Sequence, residues 1–301
     1  MNLRTIGRRD AEYPPLLKEV PGPPDLMWLA GKPLEPAPAL AVVGTRRASR
    51  YGLEAAFWLA RELAASGITI VSGLAKGIDG AAHRGALAAG GRTVAVMGCG
   101  LDICYPARHR DLFDRIAACG TLVSEYEPGI RPLPNHFPVR NRIIAGMSLG
   151  VVLVEASVAG GAMITSRLAM EFGREVFAVP GAVHSPVSVG PHLMVRDGAR
   201  LVASADQILD DLGMLRNPPA DLPGPVLHPD EARVLAVLEA EPLLLDLIAR
   251  RAGMPASTAA AVLVKLELAA LVSRRLGGRY ARAVDGALPG SGNGRVVALP
   301  H

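Results

Sequence analysis

Several short segments of this chain combine glycine, small polar residues and cations in ways that could hold phosphate. Gly44-Thr45-Arg46-Arg47-Ala48-Ser49 and Ser72-Gly73-Leu74-Ala75-Lys76-Gly77-Ile78-Asp79 come first. Gly98-Cys99-Gly100, Glu155-Ala156-Ser157 with Gly160-Gly161, and Pro180-Gly181 follow. A residue without Cβ lets backbone N–H groups approach an anion, and a helix amino terminus behind it favours negative charge. Taken singly, each glycine reads first as a tight turn. A row of such segments along one rim would suit a ligand with several phosphates in series.

The cations are placed alongside. Arg46 and Arg47 follow the first glycine, and Lys76 stands in the second segment. The run Asn135-His136-Phe137-Pro138-Val139-Arg140-Asn141-Arg142 adds two guanidinium groups, an amide and an aromatic ring. Charge beside a stacking face is what binds a flexible single strand, whereas a duplex groove needs a helix presenting base-reading side chains. Other roles are open to the same residues. Phe137 could be buried under its loop, and Arg140 and Arg142 could be solvated or paired with Glu125 or Glu127.

Other chemistries fit less well. Gly44-Thr45-Arg46 lacks the GxGxxG spacing of a dinucleotide site, no acid follows the second strand to hold a ribose, and no GxxxxGK[ST] is present. Asp79 and His83 lie one helical turn apart and could share a face as an acid–base pair. Asp79 opens a helix, however, and reads as a cap or loop brace, with His83 as a satisfied hydrogen-bonding group. No further ligand stands nearby at metal spacing. His109, between Arg108 and Arg110, reads as surface, and Cys99 has no neighbouring base to make it a nucleophile.

The elements that must carry these loops are legible. Apolar runs at 40–43, 68–71, 93–97, 121–123, 150–154 and 176–179, with an edge strand at 201–203, alternate with helical patterns. Continuous apolar strands between helices predict a parallel sheet covered on both faces. Right-handed crossovers make it doubly wound, with ligands beyond the carboxyl ends of its strands. Leu53, Ala56, Phe57, Ala60 and Leu63 form an apolar helical stripe, and Ser204 with Gln207 predicts a capping box. The fold class expected is thus α/β: an extended, mostly parallel, doubly wound sheet over 39–212, after a Pro-rich extended lead-in at 1–38. A proline-dense linker at 213–229, centred on NPPADLPGPVLHP, leads to a small domain at 230–282. There two helices at 230–240 and 243–252, a third capped by Ser257, and a two-residue hairpin turn at Gly277-Gly278 predict a winged helix. A loose tail at 283–301 follows.

Bulk properties agree with a globular chain. At 301 residues, half apolar and one-fifth charged, it can bury one large core and a small one. The net charge of +4 is modest. Lys18, Lys32, Lys76 and Lys265 are the only lysines, so the basic groups are nearly all arginine. That reflects either a composition bias or the suitability of guanidinium forks for phosphate. Cys99, Cys104 and Cys119 form no CxxC pair, and the amino terminus shows no targeting pattern, which predicts reduced thiols and a cytoplasmic location. The apolar run between Arg142 and Glu155 is too short to span a bilayer, so no membrane segment is expected.

The segments above, with Ala82-His83, Leu101-Asp102, Tyr105-Pro106, Ser124-Glu125-Tyr126, residues 137–146, residues 161–166 and residues 173–181, resemble the DNA-processing protein A (DprA/Smf) family in content and order. The resemblance covers residues 13 to about 205. It implies an extended Rossmann-like fold that binds single-stranded DNA in a positive pocket, without catalysis, metal or cofactor. It also implies a homodimer that protects incoming strands and loads the recombinase RecA onto them in natural transformation. Carried onto this sequence, the pocket would comprise Gly44, Thr45, Arg46, Arg47, Ser72, Gly73, Lys76, Gly77, Asp79, Phe137, Arg140, Asn141 and Arg142, with some glycines and Asp79 shaping the loop only. The chain is too short to include the helical amino-terminal domain of many relatives, and residues 182–192 depart from the family's Gly/Ser/Asn-rich loop.

Two alternatives stand beside this reading. Rossmann-like nucleoside-monophosphate phosphoribohydrolases carry a glycine pair near the fifth strand, but here the first acid after Gly160-Gly161 is Glu171. An adaptor acting through the winged helix is the other. The third helix of that domain has only Lys265 and Glu267 as charges, unlike a groove-reading helix, whereas Arg274, Arg275, Arg279 and Arg282 in the wing could touch phosphate.

Overall fold

The first residues do more than lead in. Strands β1 (Leu3–Gly7) and β2 (Leu26–Gly31) pair antiparallel, separated by the single-turn helix α1 (Pro15–Lys18). Ile6, Tyr13, Leu17, Met27 and Leu29 are buried there; the surrounding prolines hide this pattern from a periodicity reading. The computed structural model describes residues 2–214, 228–238, 242–268, 271–274 and 276–282. Its chain forms two units, Met1–Leu222 and Pro223–His301.

The predicted strands follow: β3 (Ala39–Val43), β4 (Thr69–Ser72), β5 (Thr93–Met97), β6 (Thr121–Ser124), β7 (Gly150–Leu153), β8 (Glu175–Ala178) and the short edge strand β9 (Arg200–Leu201). Every residue of β3 to β7 is buried, which is why they read as largely apolar runs, with their buried threonines and serines at the strand ends. All seven pair in parallel, and β2 joins β6 antiparallel, giving the order β1-β2-β6-β5-β4-β3-β7-β8-β9. This is the doubly wound, Rossmann-like sheet expected, extended by an antiparallel pair.

Helices cover both faces. Alternate residues of a strand point to opposite sides, so Ala41 and Val43 meet α5 (His136–Gly146) and α6 (Gly161–Glu171), while Leu40 and Val42 meet α2 (Arg50–Ala65) and α3 (Ile78–Ala88). α4 (Arg110–Cys119) covers β5 and β6 through Leu112, Phe113 and Ile116. α7 (Val189–Arg196) and α8 (Ala205–Asp211) complete the unit, and Ser204 caps α8 by accepting the Gln207 N–H at 3.3 Å. The chain leaves β3 towards β4 on one side and returns to β7 on the other. The carboxyl ends of β3 and β7 are therefore the switch point, where an open sheet leaves a crevice.

The second unit has helices α9 (Pro229–Val237), α10 (Leu245–Ala252) and α11 (Ala256–Leu268) and a sheet in the order β10-β12-β11. This is a winged-helix arrangement around Val234, Leu235, Ile248, Leu263 and Leu266. Three details differ from expectation. Strand β10 (Leu243–Leu244) precedes the second helix, and Ser257 lies inside the first turn of α11 instead of capping it. Strands β11 (Val272–Arg274) and β12 (Arg279–Arg282) pair Arg274 with Tyr280, a register centred on Gly277, so their connection is longer than a two-residue turn. Gly277 and Gly278 both have positive φ, 79° and 71°, as a tight wing tip demands. The expected linker core (215–227) and tail (283–301) lie outside the described residues.

A cationic crevice at the switch point

A pocket of about 550 Å³ opens at the carboxyl ends of β3 and β7. Gly44, Thr45, Arg46 and Arg47 form one side, Phe137, Arg140 and Asn141 another, and Ser157, Gly160 and Gly161 a third. Arg46 and Arg47 are exposed, and the Arg46 guanidinium lies 5.2 Å from the centroid of the half-buried Phe137 ring. Tyr105 completes an aromatic wall, its ring 5.3 Å from that of Phe137. Gly160 gives α6 no side-chain cap, so the positive end of that helix borders the pocket.

The loops are fixed from below. Thr45 donates its N–H to the Glu155 carbonyl at 2.6 Å, and the buried Glu155 carboxylate accepts from Ser49 N (2.9 Å) and Ser49 Oγ (2.5 Å). This ties the Arg46 loop to β7. The second loop is held more tightly. Asp79 accepts from Gly73 N at 3.1 Å and Ala75 N at 3.4 Å. His83 Nε2 accepts the Leu74 N–H at 3.3 Å, and His109 Nδ1 donates to the Leu74 carbonyl at 3.0 Å. Leu74 thus sits at φ 55°, a left-handed conformation unusual for a residue with a side chain, with both backbone groups bound by histidines.

Arg140 lies beneath this loop. It is 4% exposed, and its guanidinium donates to the carbonyls of Gly73 (2.9 Å) and Val96. A Cβ on Gly73 would come within 2.3 Å of Arg140 Nη1, so only glycine allows this approach. Burial pushes the Arg140 guanidinium down to about 10, opposed mainly by the nearby Asp79 carboxylate. Burial raises Asp79, opposed first by Arg140. His83 is pushed down to about 3 by burial, with His109 and Arg140 acting in the same direction. His83 is therefore neutral near pH 7. Thr93 Oγ1 already donates to the Ile70 carbonyl at 2.8 Å, so it accepts from His83 Nδ1 at 2.7 Å.

The thirteen residues expected at the site separate into rim and support. Gly44, Thr45, Arg46, Arg47, Asp79, Phe137, Arg140 and Asn141 line the pocket. Ser72 is buried and donates to the Val42 carbonyl at 2.7 Å. Gly73 rests on Arg140, and Lys76 and Gly77 lie in the adjoining loop. Arg142 turns away to Glu125 at 2.5 Å, the ion pair that sequence left open. Asp79 is the loop brace and His83 the satisfied group. His109 differs from its surface reading: it is 7% exposed and built into the floor, because the turn Ala107–His109 points it inward while its arginine neighbours face out. Tyr105, Pro134 and Thr165 line the pocket without having been named as site residues; Tyr105 carried no charge or glycine signal to mark it as one. Cys99 is fully buried and burial pushes its thiol up to about 11, so it is no thiolate nucleophile near neutrality. Among the described residues, no group of His, Cys, Asp or Glu is placed to hold a metal ion, and no helix is long and apolar enough to cross a membrane.

Comparison with known proteins places this arrangement. The family model for DNA recombination-mediator protein A matches residues 4–213. The chain belongs to that family. The family's DprA winged helix domain matches residues 218–278. Protein Smf of Synechocystis is 36% identical over 91% of this chain and 78% of its own length. The solved DNA processing protein A of Streptococcus pneumoniae superposes with a TM-score of 0.67 at 42% identity, covering 70% of this chain and 75% of the other. A second solved DNA processing protein A, from Helicobacter pylori, was determined for its single-stranded DNA binding mode. It superposes with a TM-score of 0.64 at 29% identity, covering 70% of this chain and 96% of the other.

Proposed function

We propose that the crevice binds single-stranded DNA, and that this chain protects incoming strands and loads the recombinase RecA onto them in natural transformation. In this reading it acts in the cytoplasm as a homodimer, without catalysis or cofactor. The observation that carries the proposal is the stack of Arg46 on Phe137 at the mouth of a pocket bordered by an uncapped helix terminus. Exposed guanidinium groups take the phosphates, and the Phe137 and Tyr105 rings offer base-stacking faces. Neither contact reads sequence. Gly44, Thr45, Arg46, Arg47, Lys76, Phe137 and Asn141 are the contact residues, while Ser72, Gly73, Gly77, Asp79 and Arg140 shape the loop. The ssDNA-binding Helicobacter pylori relative supports this reading.

An oligothymidylate titrated at increasing salt tests it: log K should fall with a slope of about −0.7 per phosphate contacted. Arg46→Glu should lower affinity at least tenfold, and wild-type binding by that variant overturns the pocket assignment. Hydrolysis of a nucleoside monophosphate fits the site less well. Asp79 is the one carboxylate on the pocket lining among the described residues, and it is occupied by Gly73 and Ala75. Release of adenine from AMP by the pure protein would reverse that conclusion.

A further inference from the structure

The cationic surface continues beyond the pocket. Tyr105, 40% exposed, forms the pocket wall beside Phe137, and the turn Ala107–His109 that follows carries Arg108 outward and His109 inward. His109 holds the Leu74 carbonyl, so this turn is anchored to the same loop that carries Lys76. Arg84 approaches from the other side. It lies six residues into α3, about 9 Å from the helix start at 1.5 Å per residue, but helical side chains lean back towards the amino terminus. Gly80 makes room for it. A Cβ there would stand 2.8 Å from His109 Cε1 and 3.1 Å from Arg84 Nη1, so Arg84 and His109 pack together over the glycine.

Arg84 and Arg108 are exposed and both act electrostatically on His109. Some arginines of this unit meet acids: Arg92 with Glu35, Arg110 with Asp114, Arg142 with Glu125, Arg174 with Glu19. Others, such as Arg46 and Arg47 on the pocket rim and Arg61 and Arg115 elsewhere, form no ion pair among the described residues. Arg84 and Arg108 form no such ion pair among the described residues. Exposed like charges raise the local concentration of an anionic ligand, and the acid that opposes them at His109, Asp79, is buried and held by the rim loop.

We propose that Arg84 and Arg108 are a second contact site for the same nucleic-acid strand, a phosphate-binding lane that leaves the pocket over Tyr105. The lane takes the phosphodiester backbone of any sequence, since it presents exposed guanidinium groups and no base-reading amide. The inference rests on the single-strand reading of the pocket and lengthens its footprint. A strand short enough to fill the pocket does not reach the lane; a longer one does.

The full chain, titrated by fluorescence anisotropy with six-nucleotide and fifteen-nucleotide oligothymidylates across a salt series, tests this. The double variant Arg84→Ala/Arg108→Ala should bind the longer strand about tenfold more weakly, with a salt slope smaller by about 1.4, at 0.7 per phosphate. Its affinity for the shorter strand should stay within twofold of wild type. Arg84→Lys/Arg108→Lys should keep most of both affinities, because lysine also binds phosphate, as a point charge. The proposal is overturned if the alanine pair binds the longer strand like wild type, which would leave the patch to an acidic protein partner. It is also overturned if both lengths weaken in proportion, or if the lysine pair loses as much as the alanine pair. Arg46→Glu separates the two readings, because it should weaken both lengths. If it weakens neither while the alanine pair still weakens the longer strand, the pocket assignment fails and the lane stands.

Discussion

His83 accepts the backbone N–H of Leu74 through Nε2 at 3.3 Å, and it can do so only while that nitrogen carries no proton. The conformation of the rim loop is therefore coupled to the charge of a fully buried histidine. The folded-state value of His83 is lowered to about 3, below the unfolded value of about 6.5. Its contribution to stability is complete above pH 6.5 and is lost as pH falls towards 3, because the unfolded chain binds the proton first. The slope is about 1.4 kcal/mol per pH unit for one proton. Asp79, raised by burial, works in the opposite sense at acidic pH, so a difference measurement is required. Urea unfolding of wild type and His83→Gln at pH 7, 6 and 5 should show a steeper acid loss in wild type. Parallel pH profiles would remove His83 from this role.

Arg140 should behave as a structural residue despite its place in the basic motif. Removing a buried charge that faces Asp79 and ties the Gly73 and Val96 carbonyls leaves an unpaired carboxylate in the interior, at a cost of about 3–5 kcal/mol. Arg140→Ala should unfold at much lower urea than wild type, whereas Arg46→Ala, on the exposed rim, should change stability by less than about 0.5 kcal/mol. An Arg140 variant therefore reports on folding before it reports on DNA.

The rim side chains should separate by salt dependence. Arg46→Ala should reduce the salt slope of oligothymidylate binding by about 0.7. Arg142→Ala, whose guanidinium is already held by Glu125, should leave the slope unchanged. Phe137→Ala should cost about 1–3 kcal/mol of affinity through lost stacking at a nearly constant slope. A large slope change for Phe137→Ala would mean that its role is to position Arg46.

The unit spanning residues 1–222 contains the whole crevice. Expressed alone, it should bind a six-nucleotide oligothymidylate within about twofold of the full chain, a difference of roughly 0.4 kcal/mol or less. The exposed face of α11 includes Val264, 54% exposed, and Lys265, and lacks the polar row of a groove-reading helix. A tenfold loss on truncation would assign strand contact to the winged helix instead.

Sequence by itself determined the parallel strands, the order of the glycine loops on one rim and the small second domain. These depend on local pattern: a strand buried on both faces must be predominantly apolar, and a backbone approaching closely must lack Cβ. It did not disclose β1 and β2, whose apolar residues are interrupted by prolines, nor the inward turn of His109. Nor could it divide the basic motif. Arg140 and Arg46 are the same residue type in two glycine-associated or aromatic-associated runs, yet one is buried against Gly73, 67 positions away, and the other faces solvent above Phe137. Only the tertiary structure decides that, because whether a guanidinium is a brace or a contact depends on the carbonyls and carboxylates that distant strands bring to it.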